Sequence, residues 1–255
     1  LKNEYVKALR EYYFVGGMPE SVMKFIETND AIKVREVQNN ILYTYQKDIS
    51  KHVPTSESNR INMVWQSMPS QLVKENKKFI YGVTKPGGRA KDFEIAIQWL
   101  MDAGLVYKAE RVNEAKMPLK FYVDISGFKL FLLDCGLLGA MSETPPEKLL
   151  VAENGMEESK GAFTENYVMS QLVATRDTSV FYYSNDAKLE IDFLIQHGGE
   201  IVPIEAKAEE NLRAKSLSTF VASRPGMHGL RFSMSDYREQ DWMTNVPLYA
   251  ISTYF

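Results

Sequence analysis

Residues Lys188–Lys207 read KLEIDFLIQHGGEIVPIEAK, and the reading of the fold starts there. Two short apolar runs flank His197-Gly198-Gly199-Glu200, the pattern of a β-hairpin whose paired glycines supply positive φ at the turn. With a side-chain period of two, Leu189, Ile191, Phe193 and Ile195 fall on one face of the first strand, and Glu190 and Asp192 on the other. In the second strand Val202, Ile204, Ala206 and Ala208 share a face, while Glu205 and Lys207 point the opposite way. If the two apolar faces coincide, Asp192, Glu205 and Lys207 project from one side of a sheet. Two carboxylates and a lysine among buried-strand residues are costly unless they are paired or hold a metal.

Such a set suits a hard divalent cation. Mg²⁺ takes oxygen ligands and keeps several waters, so two carboxylates and a substrate phosphate suffice. Lys207 would then orient water and steady phosphate charge. An E-x-K triplet on its own is more often an ion-pair cluster on a solvated face. Asp192 on the partner strand, together with the face arithmetic, favours the site.

A third carboxylate lies upstream in Lys160–Arg176, KGAFTENYVMSQLVATR. Ala162, Val168, Met169 and Leu172 form a helical stripe, and Glu165 falls on it. Either this glutamate approaches the hairpin acids or it reaches past the stripe's edge to water.

Glu165 on a leading helix, then Asp192, then Glu205-Ala206-Lys207, resembles the pattern of the PD-(D/E)xK nuclease superfamily. The wider text resembles the C-terminal portion of the DUF4143-type ATPases of bacteria and archaea. Its matching stretches are Tyr13–Glu20 (YFVGGMPE), Phe128–Leu137 (FKLFLLDCGL), Gly161–Asn166 (GAFTEN) and the hairpin, which span nearly the whole chain. The resemblance implies a restriction-endonuclease-like domain. Its metal ligands would be Asp192 and Glu205, with Glu165 completing the set, and Lys207 would be the catalytic lysine. It also implies an AAA+-like ATPase domain ahead of this region. No G-x-x-x-x-G-K-[ST] occurs here, so ATP would enter only through a domain absent from this chain. The chain opens Leu1-Lys2-Asn3 without methionine, which fits a piece of a longer or processed protein.

The 255 residues suffice for one large or two ordinary domains, and 45% hydrophobic with 25% charged residues is a soluble globular composition. A formal charge of −3 argues against a broad non-specific nucleic-acid surface, though not against a local basic patch. The lone Cys135 excludes an intramolecular disulfide and fits a reducing cytoplasm. No stretch has the length of a membrane span and no secretory signal is visible. Histidines 52, 197 and 228 lack ligand spacing, so no zinc site is expected, and no serine has a nucleophile-elbow context.

In chain order, 1–54 is expected to be helical, broken at Gly16–Pro19, and to offer a surface for self-association or a protein partner. Pro54 and the polar run 55–59 are expected to end it. Residues 55–140 form a second unit: a helix over 60–71 interrupted near Pro69, a turn at Lys85–Arg89, a helix over 91–103, and a hairpin of 105–110 with 120–123. Helix, helix, hairpin is a winged-helix outline. Lys74, Lys77, Lys78, Lys85, Arg89 and Lys91 make it the most basic part of the chain and its candidate DNA contact. Such modules also dock proteins, and Asp92, Glu94 and Asp102 oppose phosphate. Residues 141–157, with paired prolines, read as a linker. Residues 158–255 read as the nuclease-like domain: a helix, strands, a helix from 211 to 221, and closing strands at 229–233 and 246–251. The fold class is therefore α+β and multi-domain. The functional expectation is a Mg²⁺-dependent DNA endonuclease module attached to an ATPase. Its alternative is a non-catalytic DNA- or protein-binding or regulatory module.

Overall fold

The computed structural model describes residues 2–74, 78–150, 157–175, 179–185, 189–209 and 214–255. It is a mixed α/β fold that divides into two compact units. One comprises 1–107 and 130–159, the other 108–129 and 160–255. Among the described residues, no helix is long and apolar enough to cross a membrane.

The first unit is helical. Gly16, at φ 73°, turns the chain out of α1 (Lys2–Val15), and Pro19 opens α2 (Pro19–Thr28), where its missing N–H costs nothing. Asn29 closes α2 in the left-handed region, and Asp30 caps α3 (Ala31–His52) by accepting from Ile32 N at 2.9 Å. The polar run 55–59, expected to be a break, forms the start of α4 (Thr55–Leu72), and Pro69 lies inside that helix without ending it. Pro54 precedes α4, so the proline stops one helix and the next begins at once. After α5 (Tyr81–Thr84) and the turn at 85–89, α6 (Ala90–Asp102) ends on Gly104 at φ 69°.

Two further helices complete this unit, α7 (Cys135–Met141) and α8 (Pro146–Leu150); α7 packs on α1 and α3, and α8 on α1. Asp134 caps α7 through Leu137 N (2.8 Å) and also accepts from Gly17 N at 2.7 Å. Gln38 donates to Phe14 O at 2.7 Å. These bonds, with buried Phe14, Val34, Trp65 and Leu137, bind distant segments into one core. The expected separation of 1–54 from 55–140 therefore does not hold. Nor is 141–157 a bare linker in its described part: it carries α8, with Leu149 buried, and residues 151–156 lie outside the described set.

The second unit is built on a mixed sheet. Its strands are β1 (Val106–Val112), β2 (Val123–Leu132), β3 (Phe181–Ser184), β4 (Glu190–His197), β5 (Glu200–Ala206), β6 (Gly229–Ser233), β7 (Arg238–Glu239) and β8 (Met243–Pro247), in the order β2-β1-β3-β4-β5-β6-β8-β7. The hairpin β4–β5 forms as its sequence requires, with Gly198 at φ 59° and Gly199 at φ 83°. The expected strand at 120–123 differs: 119–122 is a 3₁₀ turn, and the strand is Val123–Leu132, whose second half is buried. The closing strand also stops early, at Pro247, with 248–250 in a 3₁₀ turn before α11 (Ile251–Tyr254). Helix α10 (Lys215–Ala222) packs Leu217 and Phe220 with Ile191, Leu194 and Met243; residues 211–213 of the expected helix lie outside the described set. Helix α9 (Glu157–Thr175) is more enclosed than an amphipathic stripe implies, since 162–169 is buried on every side.

Candidate active site

The hairpin positions the acids. Its antiparallel ladder runs from His197↔Glu200 to Phe193↔Ile204, while β5 continues alongside β6 through Ala206↔Phe232. Beyond Phe193 the two strands therefore part. The backbone N–H of Ala206 donates to Asp192 Oδ2 at 2.9 Å, so a side chain satisfies a group at the end of the ladder. A register shift between β3 and β4 lies beside the same place.

Glu205 is buried, 6% exposed, and its Oε1 meets Lys207 Nζ at 2.9 Å. Its Oε2 is buried and has no hydrogen-bond partner among the described residues. Burial would lower the Lys207 ammonium, but the carboxylates of Glu205, Asp192 and Glu165 outweigh it and hold Lys207 above the ordinary lysine value. Lys207 is thus a cation throughout the neutral range.

Glu165 on α9 is buried, as its place on the stripe requires. It is answered by a residue to which sequence reasoning gave no role. Lys129, on β2, is 1% exposed and lies 2.6 Å from Glu190 Oε1 and 3.9 Å from Glu165 Oε2. Burial opposes its charge, but Glu165, Glu190 and Asp192 together hold its pKa above the ordinary lysine value. Its Nζ also stands 4.9 Å from the ring centre of Tyr182, whose phenol burial pushes up to about 12. Removing one member of such a buried charge set costs about 3–5 kcal/mol. The signal in the sequence was a lysine inside the apolar run Phe128–Leu133.

The polar row continues across the sheet. Arg231 on β6 pairs in register with Glu205, and its Nε donates to Asn245 Oδ1 on β8 at 2.7 Å. Glu165, Glu190, Asp192 and Glu205 face the ammonium groups of Lys129 and Lys207, leaving two carboxylates in formal excess, an excess that Arg231 reduces but does not cancel. All four residues named from the sequence as catalytic therefore share one electrostatic cluster. Among the described residues, however, no three His, Cys, Asp or Glu side chains form a ready cage for a metal ion. The acids are bridged by lysines instead. The donor set still suits a hard cation, because Glu205 presents an unused buried oxygen and one or two carboxylates suffice for Mg²⁺.

The basic residues named for DNA contact lie in the first unit. Lys85, Arg89 and Lys91 are exposed around the turn into α6, and Lys74 and Lys78 are half-buried. Lys77 lies outside the described residues. Asp92 is occupied in part by the Arg89 backbone N–H, 3.0 Å from its Oδ2.

Residues 6–148 match the family described as a domain of unknown function, DUF8612, over more than half the chain. The chain belongs to the DUF8612 family. Residues 160–251 match a second domain of unknown function, DUF4143. That supports the resemblance drawn on GAFTEN and the hairpin, while the earlier stretches at 13–20 and 128–137 fall within the DUF8612 match. Comparison with curated proteins finds no match to the chain. Comparison with solved structures finds none either.

Proposed function

We propose that the second unit is a Mg²⁺-dependent phosphodiester hydrolase centre of PD-(D/E)xK type, acting on DNA. The observation that carries the reading is the parting of β4 and β5, with Asp192 and Glu205 on either side of it and Lys207 on Glu205. Asp192 and Glu205 would hold the ion, with the Ala206 carbonyl beside them and Glu165 at the edge of the set. Bound there, Mg²⁺ would polarise a phosphoryl oxygen and acidify a water. Lys207 stays protonated at neutral pH, so its part is to hold the attacking water and offset phosphate charge rather than to accept a proton. The exposed Lys85, Arg89 and Lys91 at the start of α6 are the DNA-positioning groups of this reading. In this reading helices α4, α5 and α6 are the helical part of the DNA-contacting module, with Tyr81 on α5 and Phe93 on α6 stacked at 6.4 Å. In the full context such a module would serve an ATPase, whose nucleotide binds outside this chain.

The test is cleavage of duplex DNA in magnesium. Asp192→Ala and Lys207→Ala are each expected to lower the rate by at least about a hundredfold with the circular dichroism spectrum retained. Cleavage surviving both substitutions excludes this chemistry.

A second reading is a DNA- or protein-binding module that keeps the acids for structure. It is favoured by the lysine bridging and by the lack of a three-acid cage among the described residues. Titration with Mg²⁺ or Mn²⁺ separates the two readings: no heat, even with DNA present, selects the binding module.

A further inference from the structure

We infer that the groove between α3 and α4 in the first unit receives an extended peptide segment of a partner protein, with an acidic side chain set opposite Lys47. The inference is independent of both readings of the second unit.

The groove measures about 660 Å³. On α3 it is lined by Tyr43, Gln46, Lys47 and Ser50, and on α4 by Asn59, Asn62, Met63 and Gln66. Each set is spaced i, i+3, i+4, i+7 and so forms one stripe of its helix. Stripes that face each other across a helix pair are normally apolar, as where Tyr45 and Trp65 meet edge to face at 6.2 Å. In the groove four carboxamides stand instead, Gln46, Asn59, Asn62 and Gln66. Among the described residues none of these side chains makes a hydrogen bond. Asn62 Oδ1 is buried without a partner, a cost that its turning to a donor in the groove would remove. Asparagine is also a poor helix former, and neither Asn59 nor Asn62 offsets that with a bond inside the fold. The exposed faces of α1 and α2 differ: they carry the ion pairs Lys7–Glu11 and Lys24–Glu27.

The chemistry selects the occupant. A carboxamide both donates and accepts, which matches the N–H and C=O groups of a peptide backbone. Outward from the link at 53–54 the order is Ser50 with Asn59, Lys47 with Asn62, and Tyr43 with Gln66. From 50 back to 43 the helix covers about 10 Å, the length of about three residues of extended chain. Lys47 is the one charged side chain of the described lining and no carboxylate lines the groove beside it, so an acid on the peptide complements it. Single-stranded nucleic acid fits less well. One cation would have to answer a phosphate on every nucleotide, and the Tyr43 ring, the aromatic surface a base would stack on, has the Lys47 ammonium over it at 5.1 Å.

The test selects random linear heptapeptides, displayed on phage, against the full chain. The expected result is a shared motif with Asp or Glu at a fixed position. A synthetic peptide of that motif, acetylated and amidated, should bind the triple variant Asn59→Ala, Asn62→Ala, Gln66→Ala at least about tenfold more weakly than the wild type. The thermal midpoint of the triple variant should be no lower than that of the wild type, because alanine is the better helix former. Lys47→Glu should lose the peptide likewise and regain it when the motif acid is changed to lysine. The inference is overturned if no motif emerges, if the motif lacks an acid, or if the triple variant binds the peptide as well as the wild type does. Should the triple variant lose stability, the charge exchange at Lys47 decides, and its failure overturns the inference. Binding of a fluorescein-labelled twelve-nucleotide oligo(dT) by the wild type but not by Lys47→Glu, with no peptide motif selected, assigns the groove to nucleic acid and overturns it as well.

Discussion

Asp134 is a buried carboxylate surrounded by backbone amides. It accepts from Gly17 and Leu137, and burial raises its pKa further than those N–H groups lower it. The folded protein therefore holds the Asp134 proton more tightly than the unfolded chain does. This group's contribution to stability is full below about pH 4 and is lost as pH rises through the raised folded value. The urea midpoint of the wild type should exceed that of Asp134→Asn by a margin that shrinks between pH 4 and pH 7; a margin that widens with pH reverses the assignment. Side chains of this kind were only half legible in the sequence. Asp192, Glu205 and Lys207 could be put together from a period of two, because their strands are adjacent and joined by a short turn. Lys129 could not, because the acids that answer it come from α9 and β4, and no local pattern reports a pairing made across the sheet.

At the level of elements, a helix or hairpin was readable where local chemistry alone decides it. Gly198 and Gly199 adopt positive φ, as a tight turn demands, and Asp30 and Pro19 start the helices they precede. Misreadings arose where packing outweighed local preference. The polar run 55–59 is helical because α4 is anchored further along by buried Ile61, Val64, Trp65 and Met68, and a polar first turn exposes little apolar surface. Helix α7 is fitted closely to the end of α1. A Cβ on Gly136 would stand 2.5 Å from the Val15 carbonyl oxygen. Gly136→Ala should therefore destabilise the protein by about 1–3 kcal/mol in urea unfolding. Gly199→Val, at the hairpin turn, meets no neighbour within 4 Å and should cost only its backbone strain, about 1–2 kcal/mol. No loss at Gly136 would mean that α7 can shift to accept a methyl group.

For the molecule as a whole, the two family matches divide the chain between 148 and 160, but compactness divides it otherwise, assigning 108–129 to the second unit. The sequence reading missed this because 105–110 and 120–123 read as a self-contained hairpin, and no periodicity reveals that β1 pairs in parallel with β3 across a long excursion through β2, α7, α8 and α9. A fragment of residues 160–255 retains the DUF4143 match but loses β1, β2 and Lys129. It leaves β3 as an open edge and Glu165 without its ammonium partner. It should show no cooperative thermal transition, whereas the full chain should; a sharp transition in the fragment would make 108–129 dispensable. The same sheet order sets a schedule for biosynthesis. A ribosome releases β1 and β2 before α9, β3 and β4 exist, so the nascent chain carries an unfinished strand pair while the first unit is already able to close. Slowing translation through 133–180 would lengthen that exposure, and dependence on chaperones should rise in step.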